Sequence, residues 1–104
     1  MEFKSTPMTE AIFYILLATR RPVHGYGIIQ EALEMTGGRV NLGPGTLYGA
    51  INTLLDRQWI QLYSAEECSR KKKEYLITPA GRRAFAAEMA RLGELTENGK
   101  RMEV

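Results

Sequence analysis

Four adjacent cations, Arg70, Lys71, Lys72 and Lys73, close the polar stretch 65–73. Such a run neutralises phosphates along a nucleic-acid backbone and carries no base information of its own. On its own such a run is more often a solvated turn. A second set of groups lies upstream, where Thr46 and Asn52 offer hydrogen bonds, Tyr48 offers a hydroxyl, and Gly45 and Gly49 leave the backbone bare. Catalytic chemistry finds no comparable set. His24 is the single histidine, so no Ser/His/Asp arrangement can be assembled. Cys68 is the single cysteine, which excludes an intramolecular disulfide and a multi-cysteine zinc site and fits a reducing compartment. Glu66 and Glu67 are adjacent, but in a polar stretch they lack the burial that tunes a carboxyl as a general acid. No phosphate loop or dinucleotide fingerprint occurs. The expectation is a binding protein and not an enzyme, with no metal and no cofactor.

The elements that must position these groups follow from apolar spacing. Met8, Ile12, Ile15 and Leu16 share one helix face, with Thr6 and Pro7 as cap and first-turn residue, which predicts a first helix over 7–19. Phe13, Tyr14 and Leu17 lie off that face. A helix apolar nearly all round points to burial on more than one side, and hence to a partner chain. Ile28, Ile29, Ala32, Leu33 and Met35 mark a second helix, opened by His24-Gly25-Tyr26-Gly27 and closed by Thr36-Gly37-Gly38. Val40-Asn41-Leu42 is expected as a short strand before the third helix. Gly43-Pro44 starts that helix, and Leu47, Ile51, Leu54 and Leu55 are its inward stripe. Ile60–Ser64 and 74–78 alternate as strands of a hairpin whose tip is 65–73. Thr78-Pro79 then opens a fourth helix over 79–96, with Phe85, Met89, Leu92 and Leu95 as its stripe and Arg82, Arg83, Glu88, Arg91 and Glu94 on its other faces.

This order predicts a mainly α fold with a small β-hairpin, an α+β winged helix-turn-helix over 1–78 followed by a C-terminal dimerisation helix and tail over 79–104. A chain of 104 residues holds a single compact domain. Its 25% charged and 44% hydrophobic residues suit a folded protein, whereas a net charge of +2 argues only weakly for a polyanionic partner. The apolar run 11–18 is far short of the roughly 20 residues of a membrane span, so the expectation is a soluble, cytoplasmic protein with no membrane partner.

On the third helix, Gly45, Thr46, Gly49, Asn52, Thr53 and Asp56 face away from the apolar stripe, with Tyr48 on the flank. Glycine inside a helix costs about 1 kcal/mol relative to alanine, and close approach to another molecule is one reason to accept it. In a major groove Thr46 and Asn52 would meet base edges, Tyr48 a phosphate, and the first-turn amides of Gly45 and Thr46 another phosphate. Placed beside such a helix, Arg70, Lys71, Lys72 and Lys73 become a phosphate grip on the wing.

The segments HGYGIIQ, PGTLYGAINTLLDRQWI and KKKEYLITPAGR, spanning 8–83, resemble PadR-type transcriptional regulators in order and spacing. The resemblance implies a dimeric winged-helix repressor whose third helix, with Thr46 and Tyr48, and whose wing, with Lys71 to Lys73, contact double-stranded operator DNA. It also implies that the last helix packs with the first to hold the homodimer, which places Ile12, Phe13, Leu16, Phe85, Met89, Leu92 and Leu95 in the shared core. The chain departs from the family pattern at Gln58, where glycine is common, at Gly49, where proline often follows the LY pair, and in a wing without a glycine-rich tip. A tryptophan on which related proteins stack drugs is missing from the last helix, which leaves a small-molecule effector unassigned. Trp59 is expected in core packing or as a dimer-facing lid. The rival to DNA binding is a winged-helix module that offers its Gly45/Gly49 face to a protein.

Overall fold

A computed structural model describes residues 6–64 and 73–102. Its elements are α1 (Glu10–Ala18), β1 (Val23–His24), α2 (Gly25–Met35), α3 (Pro44–Asp56), β2 (Ile60–Ser64), β3 (Glu74–Ile77) and α4 (Pro79–Met102). The expected class holds: four helices and a small antiparallel sheet in the winged-helix arrangement.

α1 starts at Glu10 and not at Pro7. The Thr9 hydroxyl accepts from the Ile12 amide at 3.2 Å, Glu10 complements the helix dipole, and the Met8 amide donates to Glu88 at 3.2 Å, which draws the preceding residues away from the helix path. No residue of 11–18 is exposed, because α2, α3 and α4 all pack around α1. The apolar circumference that suggested a partner is therefore largely covered within the chain. Leu16 in particular is fully buried in the chain's own core, which corrects its expected place in a dimer interface.

The small third strand also lies elsewhere than expected. Val23–His24, ahead of α2, pairs with β3 through Val23↔Tyr75 and His24↔Glu74, giving the sheet order β1-β3-β2. Residues 40–42 join no ladder: Val40 and Leu42 are buried in the core, and the Val40 amide donates to the Thr36 hydroxyl at 2.9 Å. β2 and β3 pair from Ile60↔Ile77 to Leu62↔Tyr75, and a bulge separates Leu62 from Ser64.

Ile15, Leu16, Ile28, Leu47, Ile51, Leu54 and Ile60 form the fully buried centre, each contributing roughly 1.5–3 kcal/mol by removal from water. The buried Thr19 joins this core to the sheet, since its carbonyl accepts from the Ile77 amide at 2.8 Å. α4 is capped as expected: the Thr78 hydroxyl accepts from the Gly81 amide at 3.0 Å and donates to the Gln58 carbonyl at 2.6 Å. It runs six residues past the expected 96, about 36 Å in all, and Lys100 and Arg101 complement the dipole of its last turn.

Candidate nucleic-acid interface

α2, residues 36–43 and α3 form the helix-turn-helix. α2 ends in a Schellman turn, with the Gly38 amide donating to the Leu33 carbonyl at 2.8 Å and Gly37 at φ +60°. Leu47, Ile51 and Leu54 fix α3 to the core and turn its opposite face outward. On that face Gly45, Thr46, Gly49, Asn52, Thr53 and Asp56 are all exposed. A Cβ placed on Gly45 or Gly49 would meet nothing within 4 Å, so neither glycine is required by packing in the chain. The face presents bare backbone flanked by the Thr46 hydroxyl and the Asn52 amide. This is a surface that another molecule can approach to helix-backbone distance.

Tyr48 does not lie on that face. It is half-buried, and its hydroxyl rests against Gly25 so closely that a Cβ there would collide with it. The ring therefore closes the corner between α2 and α3, and the absence of a side chain at Gly25 is what admits it. Arg70, Lys71 and Lys72 lie outside the described residues, as do Glu66, Glu67 and Cys68. Lys73 is half-buried just ahead of β3. At the described base of the hairpin, the Ser64 hydroxyl donates to Glu74 at 2.8 Å, and Leu62 and Tyr63 are exposed at the bulge.

Among the described residues no group of three or more His, Cys, Asp or Glu side chains could hold a metal. None of the described helices is long and apolar enough to cross a membrane. The fold is a winged helix whose α3 presents one open face. Residues 13–87 match the model of the transcriptional regulator PadR-like family.

The chain belongs to that family.

PadR-like proteins are transcriptional regulators. A relative from Streptomyces fradiae, an uncharacterized 37.1 kDa protein in transposon Tn4556, is 42% identical over 74 residues. That match takes in 68% of this chain and 20% of the relative, so the chain spans only about a fifth of the relative's length. Among solved structures, a transcriptional regulator from Clostridium thermocellum superposes with a TM-score of 0.66 at 22% identity, covering 89% of this chain and 88% of that one. A PadR-like transcriptional regulator from Bacillus cereus does so with 0.68 at 17% identity, covering 89% of each chain. At such identities these structures bear on the fold alone.

A second surface of this PadR-like chain lies on α4. Met89 (50%), Leu95 (53%) and Met102 (69%) are strongly exposed and Leu92 partly so, while Phe85 packs on Phe13 at a centroid distance of 4.7 Å. Ile12 and Phe13 are half-buried against the chain's own core or α4. Glu88, expected on an outer face, is instead buried. Its carboxylate accepts two hydrogen bonds from Arg91, both at 2.8 Å, and one from the Met8 amide. The Arg91 guanidinium holds the Glu88 carboxyl below the usual carboxylate range, against the opposing effect of burial and with help from the Met8 amide. Its spacing was a signal: Glu88 stands three residues after Phe85 and four before Leu92, in the same sector of the helix.

Trp59 packs partly against the core, with the Arg57 guanidinium 5.1 Å from its ring centroid. Its free side lines an open groove of about 520 Å³ with Ala80, Arg83, Ala84 and Ala87 of α4.

Proposed function

We propose that the chain is a cytoplasmic, homodimeric repressor that binds an inverted-repeat operator through two copies of α3 and the wing. Residues 1–78 form the DNA-binding unit in this reading, and α4 with the tail, 79–104, joins the two copies. The observation that carries it is the open α3 face: two glycines with no packing reason inside a helix, next to Thr46 and Asn52. A helix of about 10–12 Å diameter fills a major groove of about 12 Å, so bare backbone at its leading face lets Thr46 and Asn52 reach base edges. The first-turn amides of Gly45 and Thr46 and the wing cations Arg70, Lys71, Lys72 and Lys73 supply phosphate contacts. For the dimer, support comes from the exposed Met89, Leu92, Leu95 and Met102 along α4, with Phe85, Phe13 and Ile12 at the root of that stripe. Two-fold symmetry then places the half-sites about 34–36 Å apart.

The test is a salt series of duplex binding with a random fragment and a fragment from upstream of the chain's own gene. The expected result is tighter binding to the upstream fragment, weakening steeply with salt, and a two-fold symmetric footprint. A folded protein that binds neither fragment at low salt would end this reading in favour of a protein-interaction module.

A further inference from the structure

We infer that Tyr26, oriented by Gln30, is an uncharged clamp on a DNA backbone phosphate beside the groove that α3 enters; the inference rests on the DNA-binding reading above. Tyr26 is 66% exposed, more than any other aromatic ring among the described residues. A surface tyrosine needs no explanation by itself, but this one is held. The Gln30 side-chain amide, one helical turn further along α2, donates to its hydroxyl at 3.0 Å. That bond occupies a lone pair of the phenolic oxygen and leaves the O–H proton to be donated outward. A hydroxyl so arranged suits an acceptor-only partner, and a phosphate oxygen is one.

The position is set by α2. Gly25, the residue before Tyr26, lies directly under the Tyr48 hydroxyl of α3, so Tyr26 stands at the α2 end that abuts the flank of α3. With α3 filling a major groove, the groups beside the helix meet the phosphate walls and not the base edges. Tyrosine and glutamine are ordinary phosphate ligands in that position. The contact differs from that of the wing in one measurable way: it neutralises no charge and releases no counterion.

The test compares the full-length wild type with Tyr26→Phe, Gln30→Ala and the double variant, each bound to the upstream fragment and to a random duplex at several salt concentrations. Tyr26→Phe is expected to weaken both complexes alike, by about two- to tenfold, for loss of one hydrogen bond. The slope of log affinity against log salt should stay as in the wild type, because no phosphate charge is released or retained. Gln30→Ala should weaken binding less, and should cost nothing further once the Tyr26 hydroxyl is gone. Thermal unfolding should be unchanged in Tyr26→Phe, which separates a contact from a folding defect. Wild-type binding with an unaltered Tyr26→Phe affinity overturns this inference alone, as does a loss confined to one sequence. A wild type that binds no duplex overturns both this inference and the DNA-binding reading.

Discussion

Gly49→Ala tests the open face of α3 with one methyl group. Gly49 sits inside a helix that runs from Pro44 to Asp56, so alanine is favoured by about 0.8–1.0 kcal/mol from backbone entropy and helix propensity. Nothing offsets that gain, since beyond the local helix backbone the new Cβ would meet no heavy atom within 4 Å. The Thr53 hydroxyl, which donates to the Gly49 carbonyl at 3.2 Å, is untouched by the change. At this size a gain of about 1 kcal/mol raises the melting temperature by roughly 4–8 °C. Against DNA the same methyl stands between the helix backbone and the groove floor. It should cost about 1–3 kcal/mol, the worth of a well-made base contact that can no longer form at its proper distance. Melting followed by circular dichroism, with duplex binding by fluorescence anisotropy at fixed salt, gives both numbers on one preparation. A variant that melts higher and binds as well as the wild type would refute the close-approach argument. One that melts lower would refute the open geometry itself.

Gln58 carries a left-handed backbone, φ +62°, at the end of α3, where the Trp59 amide donates to the Leu54 carbonyl and the Gln58 amide to the Leu55 carbonyl, both at 3.0 Å. Gln58→Gly is expected to stabilise by about 1–2 kcal/mol in urea titration, and no gain would mean that the exposed side chain repays its strain. For the proposed dimer, Leu95→Glu places a charge on the most exposed leucine of α4 and should shift sedimentation from dimer to monomer without lowering helix content; an unshifted dimer removes this stripe from the interface. The pH dependence follows from Glu88, whose folded pKa is lowered, so its stabilisation is present above the unfolded value near about 4.3 and lost as pH falls through the folded one. The stability gap between wild type and Glu88→Gln should be full at neutral pH and close in acid, while a gap that ignores pH would deny the ion pair that role.

Much of this fold was legible wherever local chemistry and tertiary packing agree. Gly43-Pro44 marks the start of α3 and Thr78-Pro79 that of α4, because a proline at the first helical position costs no backbone hydrogen bond. Ile60–Ser64 is a strand as its alternation suggests. Disagreement arose where a distant partner decides. Thr6-Pro7 looks like a helix start, but Thr9 caps α1 and Glu88, 80 residues away, engages the Met8 amide. Val40 and Leu42 look like a strand, yet the strand that completes the sheet is the two-residue Val23–His24, too short to show any periodicity. Leu16 lies on the same sequence stripe as Ile12, but Leu16 is fully buried in the core while Ile12 is only half-buried against it. The end of α4 lacks apolar residues between Leu95 and Met102, so its helix shows no stripe there. At the site, the open face of α3 was legible from spacing alone, whereas the retreat of Tyr48 into the α2 corner depends on Gly25, a contact that no local pattern announces.

The glycines sort by cause. At Gly25 a side chain would strike Tyr48, at Gly27 the Val23 methyl, and at Gly81 the Trp59 carbonyl and Ile77, so all three serve packing inside the chain. Gly37 and Gly38 have positive φ and close α2, and Gly43 is the N-cap of α3. Four helical glycines remain with no such cause: Gly45 and Gly49 on the open face of α3, and Gly93 and Gly99 in the distal part of α4. Gly49, Gly93 and Gly99 lie within their helices, where each costs about 1 kcal/mol against alanine, a large share of the 5–15 kcal/mol that holds a domain folded. The two places where that cost has no return within the chain are the α3 face proposed to meet DNA and the α4 segment proposed to meet the second copy. Both assignments rest on other observations as well, the exposed Thr46 and Asn52 on one and the exposed Leu95 and Met102 on the other. Closeness of backbone approach is the one property that glycine adds to both.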